Sequence, residues 1–243
     1  MATALLPLKD LVEAKSRLAG LLRPSERRAL AQAMAEDVLA VLRAHPRLQR
    51  VVLVSDDPGA RLLAHEYDAQ CWSERGLGCR GLNPVLQAAA GRLAQAAGDD
   101  VMLVLHADLP LLGGADIDAA LDACTGRQVL VVAPDRHGRG TNLLAFHNSV
   151  VPAFCFGADS CAAHQRRARE QGLAAQLLHR PGLALDLDEP ADLAALLAQA
   201  PDRHGGRSRA LLQGAELGAR LRAALASLPL EAVAPATGAE QGS

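Results

Sequence analysis

Short apolar runs alternate with longer stretches of helical spacing along most of this 243-residue chain. Six of the runs predict strands, since a brief continuous apolar segment bounded by polar or turn residues suits a strand buried on both faces: Ala2 to Leu8, Val51 to Ser55, Val101 to His106, Gln128 to Ala133, Asn142 to Phe146 and Leu183 to Leu187. Between them, apolar positions recur every three or four residues. Ser25 to Leu42 carries Leu30, Met34, Val38 and Leu42 on one face, with Pro24 and Ser25 at its start. Asn83 and Pro84 form an N-cap and first-turn pair for a helix to about Ala97, and further helices are expected over Ala115 to Cys124, Ser160 to Gln171 and Pro190 to Ala200.

This alternation implies an α/β fold with a single doubly wound, mostly parallel sheet. From Pro201 the pattern changes. Asp202 to Arg207 has the composition of a linker, Ser208 to Leu228 that of one amphipathic helix, and the last dozen residues, rich in Ala, Gly and Pro, that of a disordered tail. The expected organisation is a domain over residues 1–200 followed by linker, helix and tail over 201–243.

Composition narrows the function classes. Half of the residues are hydrophobic but only 2% are aromatic, so the core must be built from Leu, Val and Ala. The net charge of -2 gives no electrostatic case for nucleic-acid binding. No apolar run approaches the roughly 20 residues of a membrane span, and no basic region followed by an apolar core opens the chain, so a cytoplasmic protein is expected. Five cysteines at no CxxC spacing argue for reduced thiols rather than a zinc site or disulfide framework. Among 25 basic residues only Lys9 and Lys15 are lysines, and their clustering points to a compact positive charge such as phosphates attract.

The chemistry-bearing residues gather where strands end, which is where open α/β sheets bind ligands. Asp108 follows the apolar run ending at His106, and Asp186 and Asp188 close the run from Leu183. A carboxylate emerging from such a strand is costly to desolvate unless it meets a cation or a strong donor. The pair Asp108 and Asp186 would suit Mg²⁺ against a triphosphate. The competing reading makes Asp108 a turn residue before Pro110 and Asp186 or Asp188 the cap of the helix from Pro190.

Pro134 to Asn142 is a Gly-rich loop in which Thr141 and Asn142 supply neutral donors, or else an ordinary turn. Phe156 to Ser160 precedes a helix, with Ser160 a candidate N-cap beside an anion site. His106 reads as a hydrogen-bonded buried histidine and the arginines at 166, 167 and 169 as a solvated helix face. No P-loop, dinucleotide-binding fingerprint or nucleophile elbow is present.

Six segments occur in a telling order: Pro7-Leu8-Lys9 with Lys15-Ser16-Arg17-Leu18, Gly81-Leu82-Asn83, Ala107-Asp108-Leu109-Pro110, Gly140-Thr141-Asn142, Phe156-Gly157-Ala158-Asp159-Ser160, and Asp186-Leu187-Asp188-Glu189-Pro190. Together they resemble the 2-phospho-L-lactate or phosphoenolpyruvate guanylyltransferases of deazaflavin coenzyme biosynthesis (CofC and FbiD type), over roughly residues 2 to 200. The resemblance implies a nucleotidyltransferase of the nucleotide-diphospho-sugar transferase type, GTP and a small phospho-acid as substrates, and Mg²⁺. It implies Asp108 and Asp186 as metal ligands and Thr141, Gly157 and Ser160 around the phospho-acid. Lys15 and Arg17 fall at the triphosphate, and Lys9 and Asn83 at the nucleotide. Cys161, after Ser160, departs from the small polar or aromatic residue usual in the family.

The implied reaction is in-line attack of the acid's phosphate on the α-phosphorus of GTP. It needs no general base, because the nucleophile is already ionised. Two other classes stay open at this point. A glycosyltransferase would use Asp186-Leu187-Asp188 as a DxD motif and release a nucleoside diphosphate, and a non-catalytic nucleotide-binding module would bind without turnover.

Overall fold

The computed structural model describes residues 1–8, 11, 15–96, 100–199 and 206–227. Lys9, most of the expected linker and the tail from residue 228 lie outside these residues. The chain opens with β1 (Ala2–Pro7), followed by α1 (Pro24–Ala44), β2 (Leu48–Val54), α2 (Pro58–Glu66), β3 (Gln70–Trp72), α3 (Leu82–Ala96) and β4 (Val101–Leu105). Then come α4 (Gly114–Ala123), β5 (Val129–Pro134), β6 (Thr141–His147), α5 (Ser160–Glu170) and β7 (Ala174–Leu177). Four helices close the described part: α6 (Pro181–Ala184), α7 (Pro190–Ala198), α8 (Gly206–Gln213) and α9 (Ala215–Ala226).

The strands make one seven-stranded sheet in the order β3-β2-β1-β4-β6-β5-β7. Pairs β1–β2, β1–β4, β2–β3 and β5–β7 are parallel, whereas β6 runs antiparallel to both β4 and β5. That reversal matters for the site. Leu143 of β6 stands opposite Leu105 at the end of β4, and the His106 N–H donates to the Asn142 carbonyl at 3.2 Å. The first residues of β6 therefore share an edge with the carboxyl ends of β1, β2 and β4.

Period-two alternation sorts the strand side chains between two cores. Leu103 and Leu105 of β4 join Val38 and Leu42 of α1 and Ile117 of α4, while Met102 and Val104 join Leu86 of α3 and Ala168 of α5. Each fully buried leucine of this kind contributes about 1.5–3 kcal/mol, and a one-residue slip would exchange the faces, so the register is strongly specified. A third cluster packs Leu30 and Met34 of α1 against Leu18, Leu187, Leu196, Leu212 and Leu221. It seats α8 and α9 on α1. Asp37 of α1 reinforces the contact by accepting from the N–H groups of Arg207 and Ser208 at 2.8 and 3.0 Å.

Three sequence expectations need correction. Leu183 to Leu187 is not a strand: Pro181 opens the short α6, and the chain then passes in irregular form to Asp188. The alternation there arises because Leu183 fills the first core while Leu185 and Leu187 fill the third, which imitates the period of a strand. Gly182 is required by the close approach, since a Cβ there would collide with Asp116 and the Leu111 carbonyl. The helix expected over Ser208 to Leu228 is two, α8 and α9, divided at Gly214. Finally α2, β3 and β7 are additions to the expected elements; β3 and β7 are short edge strands without a fully buried residue, and they lack an apolar pattern. Among the described residues no helix is long and apolar enough to cross a membrane.

Candidate active site

The charged half of the site is built on the exits of β1 and β4. Lys15 adopts a left-handed conformation, φ 58°, before a short 3₁₀ turn at Ser16–Leu18. Its Nζ donates to Asp108 Oδ2 at 2.6 Å and to Asp188 Oδ1 at 2.7 Å, and its side chain is only 7% exposed. Burial alone would lower the lysine pKa, but the Asp108 and Asp188 carboxylates outweigh it and raise the value, so the ammonium stays charged.

Asp186 lies near Asp108. The Leu187 N–H donates to the Asp108 carbonyl at 3.2 Å, which holds residues 186–188 against the end of β4. Asn142 donates from Nδ2 to the Leu183 carbonyl at 2.9 Å and to Asp186 Oδ1 at 3.3 Å. Burial, and then the negative charge of Asp108, push the Asp186 pKa up to about 6. Asp108 moves the opposite way, because Lys15 overcomes the burial that would raise it.

Asp108 Oδ1 is buried without a hydrogen-bond partner. An orphaned carboxylate oxygen beside a second, mutually repelling carboxylate is the situation a divalent cation relieves. Among the described residues no three His, Cys, Asp or Glu side chains converge as a metal cage. Mg²⁺ commonly takes one or two carboxylates and completes its shell with water and substrate phosphates, so the pair fits that ion.

The helix-cap alternative does not hold. Glu189 is the N-cap of α7, and Asp192 Oδ2 accepts from the N–H groups of Asp188 and Glu189 at 2.9 and 2.7 Å. Neither Asp186 nor Asp188 spends its side chain on the cap. Arg17 reaches Glu189 Oε1 at 2.8 Å from the rim, where both side chains are more than half exposed.

The neutral half lies on β6 and the start of α5. Thr141 is buried at the first position of β6, and its Oγ1 stands 3.1 Å from His164 Nδ1, one turn into α5. Ser160 is buried as the first residue of that helix rather than its cap; the cap is Asp159, left-handed at φ 52°, whose carboxylate accepts from Arg139 Nε at 2.8 Å. Gly157 has φ +139°, a conformation other residues rarely adopt. Asn83 is likewise not a cap, because α3 begins at Leu82. Its side-chain amide clasps the backbone of Phe156, accepting from the N–H at 2.8 Å and donating to the carbonyl at 3.0 Å. Thr141, Gly157 and Ser160 are thus brought to one edge, and Asn83 fixes the loop that carries the latter two.

At the charged half lies a cavity of about 350 Å³ whose wall includes Pro7, Leu8, Lys15, His106, Asp108 and Asp188. Beyond Leu8 a second one of about 540 Å³ is lined by Arg28, Ser55, Asp56, Glu74 and Arg75. His106 is half-buried and meets Phe156 edge-on at 5.1 Å between ring centroids. Sequence reasoning overlooked His164 and the ion pair of Arg136 with Asp192 at 2.7 Å, which ties the Gly-rich loop to α7. It also left Asp188 undecided, since its lysine partner is 173 residues away.

A sheet of this order, with paired acids and a buried lysine at its carboxyl edge, belongs to the nucleotidyltransferase class. A crystal structure from Desulfovibrio desulfuricans, assigned as a nucleotide-diphospho-sugar transferase, shares the fold at TM-score 0.74 and 17% identity, over 91% of this chain and 97% of that one. A nucleotidyl transferase from Methanothermobacter aligns at TM-score 0.57 and 17% identity, over 81% and 95% of the two chains. The chain belongs to the CofC-like guanylyltransferase family, "Guanylyl transferase CofC like", which it matches over residues 2–215. It is 41% identical to the phosphoenolpyruvate guanylyltransferase of Conexibacter woesei, over 84% of this chain and 90% of that protein. It is also 36% identical to the 3-phospho-D-glycerate guanylyltransferase of Phenylobacterium zucineum, over 79% and 88%.

Proposed function

We propose that the enzyme transfers GMP from GTP to the phosphate of a small phosphorylated acid and releases pyrophosphate, in deazaflavin coenzyme biosynthesis. Phosphoenolpyruvate, 2-phospho-L-lactate and 3-phospho-D-glycerate are the candidate acids. The observation that carries the reading is the juxtaposition at one sheet edge of Lys15, Asp108 and Asp186 with a neutral cradle at Thr141 and Ser160.

The acid's phosphate oxygen forms a bond to the α-phosphorus of GTP as the bond to the β-phosphate oxygen breaks, and pyrophosphate carries away the electron pair. Two polyanions must meet, so neutralising charge is the main catalytic demand. Asp108 and Asp186 would hold Mg²⁺, which when bound offsets the phosphate charge. Lys15 supplies a fixed positive charge beside them, and Arg17 can swing from Glu189 to the departing pyrophosphate. Thr141 and Ser160 offer neutral donors to the acid, and the open Gly157 backbone lets it approach. The cavity over Arg28, Ser55, Asp56 and Glu74 receives the nucleoside.

Incubating the pure protein with Mg²⁺, each of the four NTPs and each of the three acids, and measuring pyrophosphate, tests this reading. Pyrophosphate should form only when GTP and one of the acids are both present. Release of a nucleoside diphosphate from a nucleotide-sugar, with no pyrophosphate, would establish a glycosyltransferase in its place.

A further inference from the structure

We propose that His164 is a positioning residue which fixes the Thr141 hydroxyl as a hydrogen-bond donor to the anionic end of the acid substrate. The inference rests on the function proposed above and assigns a part to a residue outside the expected substrate contacts.

His164 is fully buried, and each ring nitrogen has a committed neighbour. Nε2 lies 2.9 Å from the backbone nitrogen of Cys155, which can only donate, so Nε2 must present its lone pair. Neutral imidazole then carries its proton on Nδ1. That nitrogen faces Thr141 Oγ1 at 3.1 Å. The Cys155 N–H alone fixes this tautomer. Burial keeps the ring neutral, holding its pKa down to about 4.

The consequence falls on Thr141. Its oxygen faces an N–H, so it accepts there and its own proton must point elsewhere. No acceptor for that proton is present among the described residues. A buried hydroxyl with an undirected proton is costly, and a carboxylate or phosphate oxygen arriving at the cradle would satisfy it. Were Nδ1 a lone pair instead, the hydroxyl would donate to the ring and turn its own lone pairs toward an anion. The backbone N–H of Cys155 thus sets the sign of a hydrogen bond made two groups away. Phe156 holds the ring in place edge-on, at 4.8 Å between centroids, and is itself clasped by Asn83.

The test pairs two substitutions that each keep half of the imidazole's bonding. Gln in H164Q can retain an acceptor near Cys155 but offers no fixed donor at the Nδ1 position; Asn in H164N keeps an amide donor there and loses the acceptor. The KM for the acid should rise about tenfold to a hundredfold in H164Q, and clearly less in H164N, with the KM for GTP unchanged in both. Equal impairment in the two variants, an unchanged acid KM in H164Q, or parallel rises in both KM values would overturn the proposal. Nitrogen NMR of the wild-type imidazole provides a reading that needs no variant to fold: the proton should sit on Nδ1, and an Nε2–H tautomer would refute the mechanism. A wild type that releases no pyrophosphate with any acid removes the function reading; an active wild type with indifferent variants removes only the role of His164.

Discussion

The two halves of the site are finished to different degrees. On the neutral side the supporting side chains are committed to protein partners: Asn83 to Phe156, His164 to Cys155 and Thr141, Asp159 to Arg139. On the charged side Asp108 keeps a buried oxygen without a partner, and Asp186 is raised to about 6 by burial and its acidic neighbour. A small acid needs a preformed cradle, because discrimination among similar molecules depends on fixed donors. The charged side instead keeps an unmet carboxylate, which under the proposed function a cation bound with the triphosphate would offset. Lys15 partly fills that deficit, and α7 caps itself through Asp192, leaving the acids to the site.

The contrast can be broken most severely at Asp108. Asp108→Asn should lower turnover by about 10²–10³ or more, while the thermal midpoint falls only modestly because Lys15 keeps its pair with Asp188. Unaltered Mg²⁺-dependent pyrophosphate release from that variant would refute its role.

The neutral half gives the next effect, through pH. The His164 pKa is depressed to about 4 in the folded protein, against about 6.5 unfolded, while His106 is the ionisable neighbour that also disfavours its charge. Between these values the unfolded state binds more protons. The stabilisation is therefore complete above about pH 6.5, and about 3 kcal/mol is lost as pH falls to about 4. Denaturant titrations across this range should show the loss in the wild type and a flatter profile in His164→Gln.

Lys15→Met should cost roughly 1–3 kcal/mol without divalent cation, by leaving Asp108 with no counter-charge, and part of it should return on adding Mg²⁺. A cost unaffected by Mg²⁺ would show that the lysine, not a cation, completes the charged half. The smallest effect belongs to Arg17→Ala. Its exposed pair with Glu189 should contribute less than about 0.5 kcal/mol to stability, so a rise in the KM for GTP with unchanged denaturation would place its value in the reaction.

The central strands and the helices α1, α3, α4 and α5 were legible because burial on both faces leaves a continuous apolar run and helical packing leaves a three-to-four spacing, whereas the short α2 was not. Edge strands β3 and β7 leave neither. Leu183, Leu185 and Leu187 misled for the opposite reason, spaced like a strand but filling the first core (Leu183) and the third (Leu185 and Leu187) without a sheet partner. Asp108 stood out because a carboxylate after an apolar strand is expensive, and Asp186 was picked out by the same signal although no strand precedes it. Which acid pairs with Lys15 was not readable, since that depends on how a segment near residue 188 folds back over β4. His164 was invisible as well: one histidine on a short helix gives no sign that a backbone N–H will set its tautomer.

The central claim is that Asp108 and Asp186 share a divalent cation. The most direct measurement titrates Mn²⁺, as a paramagnetic stand-in for Mg²⁺, into the nucleotide-free protein and follows bound ion by electron paramagnetic resonance, comparing wild type with Asp108→Asn and Asp186→Asn. The account predicts that each substitution alone weakens the ion by about tenfold or more. Mn²⁺ binding equal to wild type in both variants would contradict it.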